Sequence, residues 1–425
     1  MIQNIILSAD EFRETFDSIP SKYAYVDFVY SHFDAWYPDT YVYKVFLMNL
    51  NNRSFYITEC PQEQIELIIN DILPVKNSFF TRNIKMLQHV YKHSNYIDLE
   101  LCNYLTDGSV PNVELKYPHT YWFYNKILNP YNIAQFISLP HIVDYCVSNV
   151  PDRSDFNLKT YNFYKTGIEA FTEIERNGIC IDEFLLHEHF PNSGIVVMDN
   201  QIYSNYNFYT STGRPSNTRD GINLAALNKM SGVRRMIRSK HTNGWLVEID
   251  FSGYHPQLIA KLSGYEFRQS PYIQIASEIY DSPSPEQIKQ TKLLTFQQIY
   301  GGITPQYREV PFFKSILEYV QTVELQSPFS DRQIKRCESR TKDFNYFIQM
   351  IETEYNMLIL QAINQIVSKS DTKCVLSIYD AFLFDVQPGE EYIIKEITAY
   401  LKSLGLYFKV STGLNYNSMK KTDIY

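Results

Sequence analysis

Several things are scarce or missing in this 425-residue chain. There is no C-x-x-C pair: the six cysteines, Cys60, Cys102, Cys146, Cys180, Cys337 and Cys374, are scattered. That spacing excludes a zinc ribbon or a disulfide framework and points to reduced thiols in a cytosolic compartment. No uninterrupted apolar run approaches the ~18–20 residues of a membrane span, so no membrane partner is expected. Met1-Ile2-Gln3-Asn4 lacks a basic segment leading into an apolar block, and a secretory signal is not expected. No repeat of ~20–50 residues and no low-complexity linker is present, which sets aside a repeat architecture. Positive charge is also short, with 39 Lys and Arg against 47 Asp and Glu, a net of −8 and a pI near 5.7. At first sight that balance disfavours nucleic acid.

What is present changes that view. Hydrophobic residues at 44% and charged residues at 20% are ordinary for a soluble globular chain with material for a core. The length suggests two or three domains of roughly 150 residues. Residues 211–244 hold Arg214, Arg219, Lys229, Arg234, Arg235, Arg238 and Lys240 against Asp220 alone, a net of +6 that leaves −14 for the rest. A basic strip on an acidic body can serve a polyanion, because phosphate neutralisation depends on local charge. A merely solvated face would usually intersperse acids.

The texture divides the chain. Residues 1–150 open with strand-like runs at Tyr23–Tyr30, Tyr41–Leu50 and Ser54–Glu59, the last two joined by Asn51-Asn52. An amphipathic helix carrying Ile65, Ile68, Ile69, Ile72 and Leu73 follows, so a mixed α+β domain is predicted. Residues 157–190 look helical, with Asn177-Gly178 as a stop signal. Strands are predicted at Trp245–Asp250, Lys373–Tyr379 and Phe382–Val386, and a helix at Gln257–Leu262. Pro151-Asp152-Arg153-Ser154 is the expected domain boundary.

Asp250 and Asp380 each close an apolar strand. Singly, either is more often a turn residue. Side by side in one sheet, they could hold two divalent cations that activate a hydroxyl and stabilise a leaving oxygen in phosphoryl transfer. Lys292, Phe296 and Tyr300 recur at i, i+4, i+8 before Gly301-Gly302, along one helix face. A cation and two rings there suit a nucleoside triphosphate, although an amphipathic core helix would read the same way. His187-Glu188-His189 carries no metal expectation, since i, i+2 spacing points the rings apart.

In order along the chain, these stretches resemble the family A DNA polymerases, the class of bacterial DNA polymerase I. Thr212-Gly213-Arg214 with Ile222-Asn223-Leu224 is similar to the family's T-G-R…P-N-L-Q segment near the primer–template. Asp250-Phe251-Ser252-Gly253-Tyr254-His255-Pro256-Gln257 resembles motif A, D-Y-S-x-x-E-L-R. Lys292 through Tyr300-Gly301 resembles motif B on the fingers helix. Asn345-Tyr346-Phe347-Ile348-Gln349 resembles the N-x-x-I-Q element that touches the minor groove, and Tyr379-Asp380 resembles motif C. The resemblance implies two Mg²⁺, with Mn²⁺ as a substitute, on Asp250, Asp380 and the Phe251 carbonyl. Lys292, Phe296, Tyr300, His255 and Lys289 would bind nucleotide. Arg214, Asn223, Arg234, Arg235, Asn345 and Gln349 would bind DNA. The implied fold is α+β: a right-hand-like polymerase over 151–425, with fingers at about 265–345, preceded by an RNase H-like exonuclease-type domain at 1–150.

Departures from the family are specific. His255 replaces the motif A glutamate that screens the nucleotide sugar, Gln257 the motif A arginine, and Ala381 the motif C glutamate. Tyr379 replaces the motif C histidine, and Ile288 an arginine before the motif B lysine, with Lys289 adjacent. Glu173–Asp182 resembles the stretch that precedes the thumb, but only the 29 residues 183–211 separate it from Thr212. As helix they would span only ~43 Å, so a minimal thumb over 183–205 and low processivity are expected. Of the exonuclease carboxylates only Asp27 remains, with Asp98 as a remnant. The corresponding stretches otherwise read Asn83–Leu87 and Tyr145–Asn149, and proofreading is expected to be absent.

The reading is a template-directed DNA polymerase acting on DNA primer–template and deoxynucleoside triphosphates, with a processivity or replisome protein as a further partner. Its size suggests a phage or mobile element, and hence the bacterial host cytoplasm. Two rivals stand beside it. One is a nucleotidyltransferase that accepts ribonucleotides or needs no template, motivated by His255 and the short thumb. The other is an inactive primer–template binding protein, motivated by Gln257, Ile288 and Ala381.

Overall fold

The computed structural model of the chain describes residues 3–31, 37–81, 84–107, 157–322, 324–334 and 339–422. Two compact units emerge, Met1–Lys165 and Thr166–Tyr425, their boundary lying inside the helix Leu158–Asn177. Pro151–Ser154, Asn83 and Tyr145–Asn149 lie outside the described residues.

In the first unit, β1 (Gln3–Ile6), β2 (Ala24–Tyr30), β3 (Val42–Asn49), β4 (Ser54–Thr58), β5 (Phe79–Thr81) and β6 (Tyr96–Asp98) form one sheet in the order β1-β4-β3-β2-β5-β6. The strands β2, β3 and β4 make an antiparallel meander, and β5 and β6 continue it in parallel. β2 is buried along its whole length, as a central strand of alternating Tyr, Val and Phe should be. The helix predicted over 65–73 is only partly regular. α1 is Ala9–Ser18, and α2 (Gln62–Leu67) passes into a π turn at Ile68–Ile72 and a 3₁₀ turn at Leu73–Val75, where Pro74 removes a donor.

Both remnant carboxylates are engaged locally. Asp27 accepts from the Tyr25 hydroxyl at 3.0 Å and the Phe28 amide at 2.9 Å. Asp98, fully buried, accepts from the Ile84 amide at 2.6 Å and the Leu101 amide at 2.7 Å. It thereby satisfies the first turns of α3 (Ile84–Val90) and α4 (Leu99–Asp107).

α5 (Leu158–Asn177) ends at Gly178, whose φ of +64° suits a residue without a Cβ. A Cβ there would also meet the Tyr203 ring at 2.8 Å. Then follow β7 (Ile179–Cys180), α6 (Glu183–His189), β8 (Gln201–Ile202), β9 (Thr218–Arg219) and β10 (Ile222–Asn223). The centre of the second unit is an antiparallel sheet, β12-β13-β11-β14-β15, from β11 (Trp245–Phe251), β12 (Lys373–Ile378), β13 (Ala381–Val386), β14 (Phe408–Gly413) and β15 (Lys420–Thr422). Leu246 and Leu383 join a core with Ile179, Ile181, Leu186, Ile202, Met236 and Ile237. Between β11 and β12 run α7 (Tyr254–Ser263), α8 (Pro271–Ile279), α9 (Pro285–Gly301), α10 (Pro311–Thr322) and α11 (Arg340–Val367). α12 (Glu391–Ser403) precedes β14 and packs on α11. The fold is α+β.

Candidate active site

Asp250 lies opposite Ala381 on β13 and Lys409 on β14. Asp380 occupies the turn between β12 and β13, and its carbonyl accepts from the Phe251 amide at 2.9 Å. The strand pairing therefore brings the two predicted carboxylates together at one end of the sheet. Asp250 is half-buried and Asp380 exposed. Burial, then the Asp380 and Glu248 charges, push the Asp250 carboxyl up to about 6, with Lys409 and Lys229 opposing. Loss of hydration at the carboxyl, although the residue as a whole is exposed, and then the Glu352 charge also raise Asp380. Two mutually repelling carboxylates are a site that a divalent cation would relieve.

The turn holding Asp380 is strained and braced. Tyr379 has φ +50°, unusual for a residue with a bulky side chain. The Arg214 guanidinium covers its ring at 3.9 Å. The Asn356 amide donates to its carbonyl at 2.7 Å and accepts from the Tyr254 hydroxyl at 2.7 Å.

α11 supplies a polar stripe through a buried helix: Asn345, Gln349, Glu352 and Asn356 at i, i+4, i+7 and i+11. Glu352, 1% exposed, pairs with Arg214 Nε at 3.0 Å and His255 Nε2 at 3.2 Å. His255 Nδ1 is hydrogen-bonded to the Tyr300 hydroxyl, and the Tyr300 carbonyl accepts from the Asn345 amide at 3.0 Å. Thr212 Oγ1 donates to Gln349 Oε1 at 3.4 Å. Residues from four separate stretches are thus linked around one buried carboxylate.

α9 starts with a capping box between Ser284 and Gln287 and Pro285 in its first turn. Its buried face is Thr291, Thr295, Gln298 and Ile299, while Lys292 is exposed and Phe296 and Tyr300 are half-buried. The aromatic residues are therefore not the helix's core face. Their rings stack at 5.8 Å and 5°. Tyr272 of α8 closes the group, 5.8 Å from the Lys292 ammonium and 6.3 Å from the Phe296 ring. It also lies so near Gly253 that a Cβ there would come within 3.2 Å of its ring. Lys289 is exposed on the same helix.

The basic strip is less available than its sequence suggests. Arg234 is buried, donating to the Leu227 carbonyl at 2.9 Å and covering the Tyr416 ring at 4.4 Å. Arg219 is buried and bonded to the Tyr203 carbonyl. Asn223 caps a 3₁₀ turn by accepting from the Ala225 amide at 3.1 Å. Arg238 is exposed and pairs with Asp182 at 3.8 Å. Lys229, Arg235 and Lys240 are exposed.

Gln257, in place of an arginine, is a brace. Buried, it donates to the Ser252 and Tyr407 carbonyls at 3.0 and 2.8 Å and accepts from the Tyr407 amide at 2.7 Å. Glu352, Asn356 and Tyr272 escaped the sequence reading. The stripe at helical spacing beyond Gln349 was the available signal for the first two; nothing singled out Tyr272.

Among the described residues no group of three or more His, Cys, Asp or Glu side chains is arranged to hold a metal. Two carboxylates and a backbone carbonyl still fit Mg²⁺, which commonly takes one or two carboxylates and completes its shell with phosphate oxygens and water. No helix among the described residues is long and apolar enough to cross a membrane.

No protein-family model and no curated protein matches this sequence. Among solved structures the chain is similar to the POL domain of Pol1 from M. smegmatis in complex with DNA primer-template and dNTP. The TM-score is 0.69 at 12% identity, covering 98% of this chain and 100% of that one. The chain therefore has the fold of a DNA polymerase domain.

Proposed function

We propose that the protein is a template-directed DNA polymerase that extends a primer 3′-end with deoxynucleotides. The observation that carries this is the meeting of Asp250 and Asp380 beside the Arg214–Glu352–His255–Tyr300 chain. The solved neighbour's DNA primer-template and dNTP supply the substrate class for the proposal. Asp250, Asp380 and the Phe251 carbonyl would hold two Mg²⁺ or Mn²⁺, which activate the primer hydroxyl and neutralise the phosphates. Lys292 and Lys289 face solvent where triphosphate oxygens would arrive, and Phe296 and Tyr300 offer stacked rings to sugar and base. Arg214, held against Tyr379, would position the primer terminus. Asn345 and Gln349 extend that surface towards the minor groove, with Asn223 and Arg235 as further DNA contacts. Arg234 would act by supporting the fold. His255 stands between Tyr300 and Glu352, fixed on both ring nitrogens, so it would screen the nucleotide sugar as an immobile wall.

The first unit would be a degenerate exonuclease-type domain without proofreading. Its meander-plus-parallel sheet suits an RNase H-like scaffold, and both Asp27 and Asp98 serve local backbone amides.

The test is extension of a labelled primer on a recessed template with Mg²⁺ or Mn²⁺, supplied with dNTPs or rNTPs, beside Asp250→Asn/Asp380→Asn. Template-matched addition of dNTPs that vanishes in the double variant is expected. Equal use of rNTPs, or addition without template, would favour the broader nucleotidyltransferase. Intact primer–template binding without any addition would make the protein a non-catalytic binder.

A further inference from the structure

A cavity of about 830 Å³ opens at the end of the β11–β14 strand pair, beyond the α9 nucleotide face. Among the described residues its lining includes Lys261, Lys402, Lys409 and Lys421, with Glu266 as an acid. Ser252, next to the Phe251 carbonyl, forms part of the wall. Lys409 lies directly opposite Asp250 in register, so the cavity and Asp250 share one strand pair. Lys292, Phe296 and Tyr300 do not line it.

The cationic lining has a counterpart in what the neighbouring elements lack. Gln257 also lines the cavity, with its amide committed to the Ser252 and Tyr407 backbone. On α9, Ile288 is apolar, and the two lysines, Lys289 and Lys292, are exposed. Exposed or lining cations therefore stand on α7, α12, β14 and β15 as well as on α9. Lys261 Nζ already donates to the Leu404 carbonyl at 2.7 Å; the ammonium groups of Lys402, Lys409 and Lys421, from three further elements, suit a flexible chain of phosphates, since lysine acts as a point charge without directional demands. The volume lies within the range of small-molecule sites and exceeds the needs of a single phosphate.

We propose that this cavity is a second polyphosphate site, taking either the triphosphate of an arriving nucleotide or the pyrophosphate that leaves. Its role in turnover rests on the polymerase reading; its binding chemistry does not. The test is calorimetric titration of the full chain with inorganic tripolyphosphate and with pyrophosphate, without DNA or metal. Lys402→Gln/Lys421→Gln should weaken binding about tenfold or more, whereas Lys402→Arg/Lys421→Arg should retain it. A thermal melt of each variant checks folding.

The two sources separate in extension assays. A raised KM for dNTP in the double Gln variant identifies the arriving triphosphate. Slowed pyrophosphorolysis at unchanged KM identifies the leaving pyrophosphate. Unchanged binding in that variant overturns the proposal. Capture of single-stranded DNA but neither polyphosphate overturns it too, in favour of a template path. Polyphosphate binding through these lysines in a protein that extends no primer would uphold the site and sink the polymerase reading.

Discussion

Asp250 shows how a functional carboxylate costs stability. Its carboxyl is held at about 6 against an ordinary 3.8, so the folded state binds the proton more tightly than the unfolded chain. Its favourable contribution to folding is complete below about pH 4 and is lost as pH rises through about 6. Asp250→Asn should therefore be more stable than wild type at pH 8 in the absence of metal, by about 1–2 kcal/mol after allowance for solvent screening. Mg²⁺ should raise the wild-type Tm at pH 8, raise it much less at pH 5, and leave the variant nearly unmoved. Melts at both pH values with and without Mg²⁺ check this, and an equal Mg²⁺ effect on the variant would remove Asp250 from the ligand set.

At the scale of elements, what was legible depended on how simple the local pattern was. Val247, Ile249 and their neighbours make an apolar run ending in Asp250, and β11 extends one residue beyond it. The runs at 24–30, 42–49 and 54–58 fall within one residue of their predicted ends, because turns and alternation fix strand limits. α11 was legible only at its start. Its 28 residues are buried around much of the circumference, and Glu352, Thr353, Glu354 and Asn356 are polar residues inside it. Hydrophobic periodicity cannot show a helix whose inner face is polar. In the basic strip the sequence shows charge but not exposure: Arg219 and Arg234 are buried and donate to backbone carbonyls. Glu352 tests the importance of the α11 stripe. Removing a buried partner leaves its counter-charges stranded, so Glu352→Ala should cost about 2–4 kcal/mol by urea unfolding. Glu352→Gln should cost less yet still lower primer extension about tenfold, with Arg214 no longer held by charge. Full extension by a stable Gln variant would reduce Glu352 to packing.

For the molecule as a whole, the stretch between Asp182 and Thr212 decides how firmly it can grip a duplex. It contains one helix of 7 residues, α6, and the two-residue strand β8. Leu186, Ile195 and Ile202 enter the same core as Leu246, Leu376 and Leu383, with Phe190 and Val197 packed against it. The segment is thus folded onto the sheet, and of its large apolar side chains Phe184 and Val196 are the ones left exposed, too few to hold a projecting pair of helices together. Of the basic strip, Lys229, Arg235 and Lys240 are exposed, and Arg238 is partly neutralised by Asp182. About three or four phosphate contacts give a salt slope near −3, a loss of roughly 50- to 100-fold in DNA affinity between 50 and 200 mM salt. Extension against a heparin trap should accordingly stop after fewer than about ten additions and shorten further as salt rises. Tens of additions per binding event by the isolated protein would show that another surface clamps the duplex. Short runs that lengthen only when a second protein is added would place that clamp in a partner.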